Sequence, residues 1–165
     1  MTKFLLTVHV LVAIVAIGPV TVAASMFPAA ARRAAASPDA EGLATVRVLH
    51  RVSYVYAGVG LAVPLAGFAT ARSMHVLGSP WLITSIVLTA AAAIILGLLI
   101  LPSQEAVLDT LAGTGTDTDT ETRTGRVAVD RATTARLAML TGVFNLLWAT
   151  VTVLMIVRPG STTGA

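Results

Sequence analysis

Four apolar stretches limit what this chain can become: Phe4 to Phe27, Val52 to Ala71, Pro80 to Leu101 and Leu137 to Val157. None of them carries an Asp, Glu, Lys or Arg. A helix rises about 1.5 Å per residue, so about 20 apolar residues cover the roughly 30 Å of hydrocarbon in a bilayer, and each stretch is long enough. The expected fold class is all-α, an integral membrane four-helix bundle. Charged residues make up 12% of the chain, about half the share found in soluble domains. Roughly 80 residues remain for loops and tails, too few for a second domain with its own core, so residues 1–165 are read as one membrane domain. The absence of cysteine excludes disulfides, thiolate metal sites and thiol redox chemistry within the chain.

The positions of the charges predict the topology. Arg32, Arg33, Arg47 and Arg51 lie between the first and second stretches, and Arg123, Arg126, Arg131 and Arg136 between the third and fourth. Lys3, Arg72 and Arg158 are left for the opposite side. Eight basic residues against three put both longer loops in the cytoplasm, with the N-terminus and C-terminus outside. Ten Arg to one Lys, with abundant Ala, point to a GC-rich bacterial genome and so to a bacterial cell membrane. The net charge of +3 sits in these loops and calls for no nucleic acid. Lys3, the apolar run after it and Val22-Ala23-Ala24 resemble a secretory signal, but such a core is about 7 to 15 residues long, so the first stretch is read as a retained span.

Between the spans, Arg72 to Ser79 reads as a tight outer turn that makes the second and third helices antiparallel neighbours. In the first cytoplasmic loop, Pro28 to Arg51, Ser37 is the expected N-cap and Pro38 the first residue of a helix that runs on into the second span. The second cytoplasmic loop holds a Gly/Thr/Asp tract, and residues 112–126 are expected to be a disordered linker. Asp117, Asp119 and Glu121 lack the Gly and terminal Glu of a calcium loop. Inside the spans, Gly58, Ala62 and Ala66, then Ala93 and Gly97, then Ala138 and Gly142 form small-residue faces, read chiefly as helix packing within the chain and secondarily as a homodimer face. Pro19 and Pro64 predict kinks.

Polar groups in hydrocarbon are costly, so they are the natural candidates for function. His9 in the first helix and Asn145 in the fourth are the two strongly polar intramembrane residues. His75, Met74 and Met155 fall on the same side as His9, where imidazole and thioether would suit copper and two imidazoles would suit haem iron. The plainer expectation is that His9 bonds a hydroxyl or carbonyl of a neighbouring helix, with no cofactor. His50, beside Arg51, Tyr54 and Tyr56, reads as an interfacial anchor, and so does Trp81, while Trp148 reads as a packing residue.

The Val8-His-Val-Leu-Val-Ala13 segment with Gly18-Pro19, and Leu49-His-Arg-Val-Ser-Tyr-Val-Tyr-Ala-Gly58 with Val63-Pro-Leu-Ala-Gly67, resemble a bacterial family of small four-helix membrane proteins known only as a domain of unknown function. That family is distantly similar to the membrane domain of copper-resistance protein CopD, in which a His near a helix start recurs. The resemblance covers the first two helices best. It implies a four-helix bundle, no assigned activity, and a tilt toward metal handling carried by His9.

No nucleophile elbow, P-loop, Rossmann fingerprint or zinc-protease motif is present, so no enzyme is expected. A small proton-coupled transporter would need a titratable carboxylate in a span, and none of the four stretches has one. The leading expectation is a non-enzymatic structural, accessory or binding component, in contact with the bilayer and with itself or another membrane protein. Haem or copper binding through His9 and His75 is the alternative from another class, and a small transporter is the third.

Overall fold

The computed structural model describes residues 2–37, 39–113 and 131–160. Its helices are α1 (Thr2–Ala36), α2 (Ala40–Gly60), α3 (Ala62–Ser73), α4 (Pro80–Ile94), a π-helical stretch Ile95–Ile100, α5 (Leu101–Gly113) and α6 (Arg131–Val157), with no strand among the described residues. Joined end to end, they make four rods long and apolar enough to cross a membrane: Lys3–Ala36, Ala40–Ser73 and Pro80–Gly113, each of 34 residues, and Arg131–Val157 of 27. The all-α, four-span expectation holds. Large apolar side chains cover the outside, Leu65 and Ile156 each being 73% exposed, as a surface facing lipid rather than water requires.

Three of the rods are longer than the apolar stretches that mark them. At 1.5 Å per residue they reach about 50 Å, some 20 Å beyond a hydrocarbon core. The excess lies on one side, that of the α1–α2 and α5–α6 connections, called here the loop side. The expected first loop is therefore largely helical, with α1 running through Pro28, Arg32 and Arg33 to Ala36. Ala112 and Gly113, the first two residues of the expected disordered linker, are instead the last two of α5; the rest of the Gly/Thr/Asp tract lies outside the described residues. The cap also differs from expectation. Asp39, not Ser37, is the N-cap of α2, and its carboxylate accepts from the Gly42 amide at 2.5 Å.

Each proline has a separate consequence. α1 continues through Pro19 and Pro28 without a break. Pro64 has no N–H to offer the Gly60 carbonyl, and the second rod breaks there: α2 ends at Gly60, and the Leu61 amide turns back to the Gly58 carbonyl at 3.2 Å. In the third rod the Leu101 amide reaches the Leu96 carbonyl, five residues back, immediately before Pro102. The widened turn accommodates the bond that Pro102 cannot make to Leu98.

In the packing, α1 lies against α2 and α3 on one side and α6 on the other, while α4 meets α6 and α2 meets α5. The core runs along the axis and on into the loop-side extension, from Val20, Ala24, Phe27, Leu96, Ile100 and Phe144 to Ala31, Ala34, Val46 and Val107. A smaller cluster of Ala71, Trp81 and Leu82, with Val76 and Met155 against it, closes the other end. The small-residue faces do not supply the internal contacts expected of them. Gly58, Gly97 and Gly142 are exposed, and a Cβ built on any of them meets nothing within 4 Å. The reason is rotational phase: the bulky core residues Val46, Leu96 and Phe144 take the inner side of their helices and turn the glycines outward.

Candidate functional site

Polar side chains join the helices at three levels. Nearest the termini, the His9 imidazole of α1 lies against Gly67 of α3. A Cβ at position 67 would stand 3.0 Å from His9 Cε1 and 3.4 Å from Nδ1, so the absence of a side chain at 67 is what lets the ring approach. The Val63 backbone lies beside the ring, and Nδ1 is buried without a partner.

Farther along the bundle toward the loop side, Asn145 of α6 meets Ser25 of α1. The Ser25 hydroxyl donates to the Thr21 carbonyl at 2.7 Å, so its oxygen is free to accept from Asn145 Nδ2 at 3.1 Å. Asn145 Oδ1 is then left buried and unpaired, as is the indole N–H of Trp148, three residues on. Trp148 packs edge-on against Phe144, with ring centroids 6.4 Å apart, in line with its expected packing role.

On the loop side, His50 of α2 pairs with Gln104 of α5, Nδ1 to Oε1 at 3.2 Å. An amide oxygen can only accept, so Nδ1 is the donor in this pair. Gln104 is fully buried, as is Ser53 one turn from His50, and Gln104 Nε2 and Ser53 Oγ have no partner. His50 is thus an interhelical residue as well as a neighbour of Tyr54, whose ring lies 6.4 Å away. Sequence reasoning missed Gln104, which follows the third apolar stretch and was assigned to a loop. It also missed Gly67 as a contact.

His75 is not brought to His9. It is exposed in the turn after α3, at φ 57°, and lies eight residues beyond Gly67. Met155 packs against the Trp81 cluster, and Arg158 lies over the Trp81 ring at 5.9 Å. Among the described residues no three His, Cys, Asp or Glu side chains gather as a metal site.

Four apolar rods with lipid-type exteriors and sparse interhelical polar pairs define a multi-pass integral membrane protein. The chain matches, over residues 3–159, the family described as predicted integral membrane protein (DUF2269), and it belongs to that family. No curated protein and no solved structure matches it.

Proposed function

We propose that this protein is a non-enzymatic structural, accessory or binding component of a bacterial cell membrane, in which the polar groups of the spans hold helix to helix. The observation that carries this reading is the seat of His9, whose ring lies in the α1–α3 contact against Gly67. Asn145 with Ser25 and His50 with Gln104 repeat the pattern between other helices. Asp39, Glu41, Glu105 and Asp109 are exposed on the loop side, which gives proton-coupled transport no described carboxylate within a span to work through. The eight-to-three split of basic residues supports a cytoplasmic loop side and outer termini.

The alternative, haem or copper held by His9 and His75, starts from imidazoles and thioethers expected on one side of the bundle and makes the opposite forecast. A visible spectrum and elemental analysis of the purified protein separate the two. The expected result is no Soret band and no stoichiometric copper or iron. One haem or metal ion per chain, lost in His9→Leu, would overturn the proposal.

A further inference from the structure

The outward face of α2 carries a pair of charges with no partner among the described residues. Arg47 and Arg51 stand one turn apart, both exposed, and neither has a hydrogen-bond or ion-pair partner among the described residues. No acidic residue occurs from Arg47 to Ala62. Arg51 and Arg72 bracket the apolar part of the rod, which spans about 30 Å, so Arg51 lies at the headgroup boundary and Arg47 about 6 Å farther out. Tyr54 is 66% exposed and lies about 4.5 Å to the membrane side of Arg51. Its phenol is then at the depth of the lipid ester groups, where interfacial tyrosines concentrate. Deeper on the same face come Gly58 and Ala62, both exposed, flanked by the outward side chains of Val55, Val59, Leu61 and Leu65. Gly58 carries no side chain and has open space around it, so the face inward from the arginines is low there.

Two adjacent guanidiniums repel unless an anion lies between them, and their planar donor sets match phosphate oxygens. The anion available at this depth is a lipid phosphate. We propose that the Arg47–Arg51–Tyr54 face of α2 binds one anionic phospholipid of the loop-side leaflet. Its phosphate is held by the two guanidiniums, its ester region lies beside Tyr54, and one acyl chain lies along the exposed face at Gly58 and Ala62.

The test is native mass spectrometry of the full-length protein in detergent, titrated with phosphatidylglycerol or phosphatidylcholine. Wild type should retain one phosphatidylglycerol in preference to phosphatidylcholine. Each basic residue near an anionic surface is worth roughly fivefold in affinity, so R47Q/R51Q should weaken retention by roughly 20-fold. R32Q/R33Q, the same charge change on α1, should weaken it less than about threefold. Gly58→Leu adds bulk to that face at an outward position with open space and should weaken retention while leaving thermal stability unchanged, which keeps the test open should the double arginine variant fail to fold. Equal losses in the two arginine doubles, or equal retention of the two lipids, would overturn the proposal in favour of diffuse charge attraction. Displacement of the lipid by millimolar inorganic phosphate would overturn it in favour of a free-anion site. A dimer that excludes lipid and is broken by Gly58→Leu would overturn it in favour of a second copy on this face.

Discussion

Gly67 and His9 meet across the α1–α3 contact, and the approach has a measurable signature. A side chain at 67 must displace the ring, because even a Cβ comes within 3.0 Å of Cε1. Gly67→Leu is expected to lower stability in detergent by about 1–3 kcal/mol, the usual range for overpacking. His9→Ala in the same chain should recover part of that loss, with a coupling of about 0.5–3 kcal/mol in a thermal-unfolding cycle. Additive effects would show that the two residues do not touch. His9→Leu alone should cost under about 1 kcal/mol, since hydrogen bonds between membrane helices average about 0.6. Gly142→Ala, with open space around its Cβ, should change almost nothing. Composition could not single out Gly67, because several glycines sit at helix-contact spacing and only the phase of the core residues decides which of them faces inward.

The element most informative about register is the third rod. A π turn holds about one residue more than an α turn, so everything beyond it is rotated by about 100°. That rotation returns Ile100, Gln104 and Val107 to the face on which Ser85 and Ala92 are buried. Deleting Gly97, an outward residue within the stretch, should convert the rod to continuous α-helix and keep Gln104 opposite His50, with near-native thermal stability. Deleting Thr89 in α4 should turn Trp81, Leu82 and Ser85 away from their neighbours and destabilise markedly. If the two deletions cost the same, the π stretch does not set the register. The membrane-spanning parts of the helices were legible from hydropathy, but their ends were not. Hydropathy falls where hydrocarbon ends, whereas backbone hydrogen bonding continues through Ala29 to Ala36 and through Ser103 to Gly113. The His50–Gln104 pair lies in that extension, which is why only one of its members was noticed. The π stretch had a visible cause in Pro102, though no pattern in Ile95–Ile100 foretells the extra residue in the turn.

Taken as a whole, the molecule is asymmetric along its long axis. Helical ends project about 20 Å from the hydrocarbon on the loop side. The other side has a short turn, the Trp81 cluster and the chain ends. Arg32, Arg33, Arg47, Arg51, Arg131 and Arg136 are all exposed on or beside the projecting part. Which compartment the projecting side faces fixes the orientation, and whether the two ends lie on opposite sides tests the membrane-spanning bundle itself. The chain has no cysteine, so single reporters can be placed without background. Ser37→Cys stands at the exposed end of the loop-side extension and Gly78→Cys in the exposed α3–α4 turn, with open space around its Cβ. A membrane-impermeant thiol reagent applied to intact cells should label the variant at 78 and spare the variant at 37 until the membrane is opened. Labelling at 37 with protection at 78 would invert the orientation, and labelling at both in intact cells would contradict a membrane-spanning bundle.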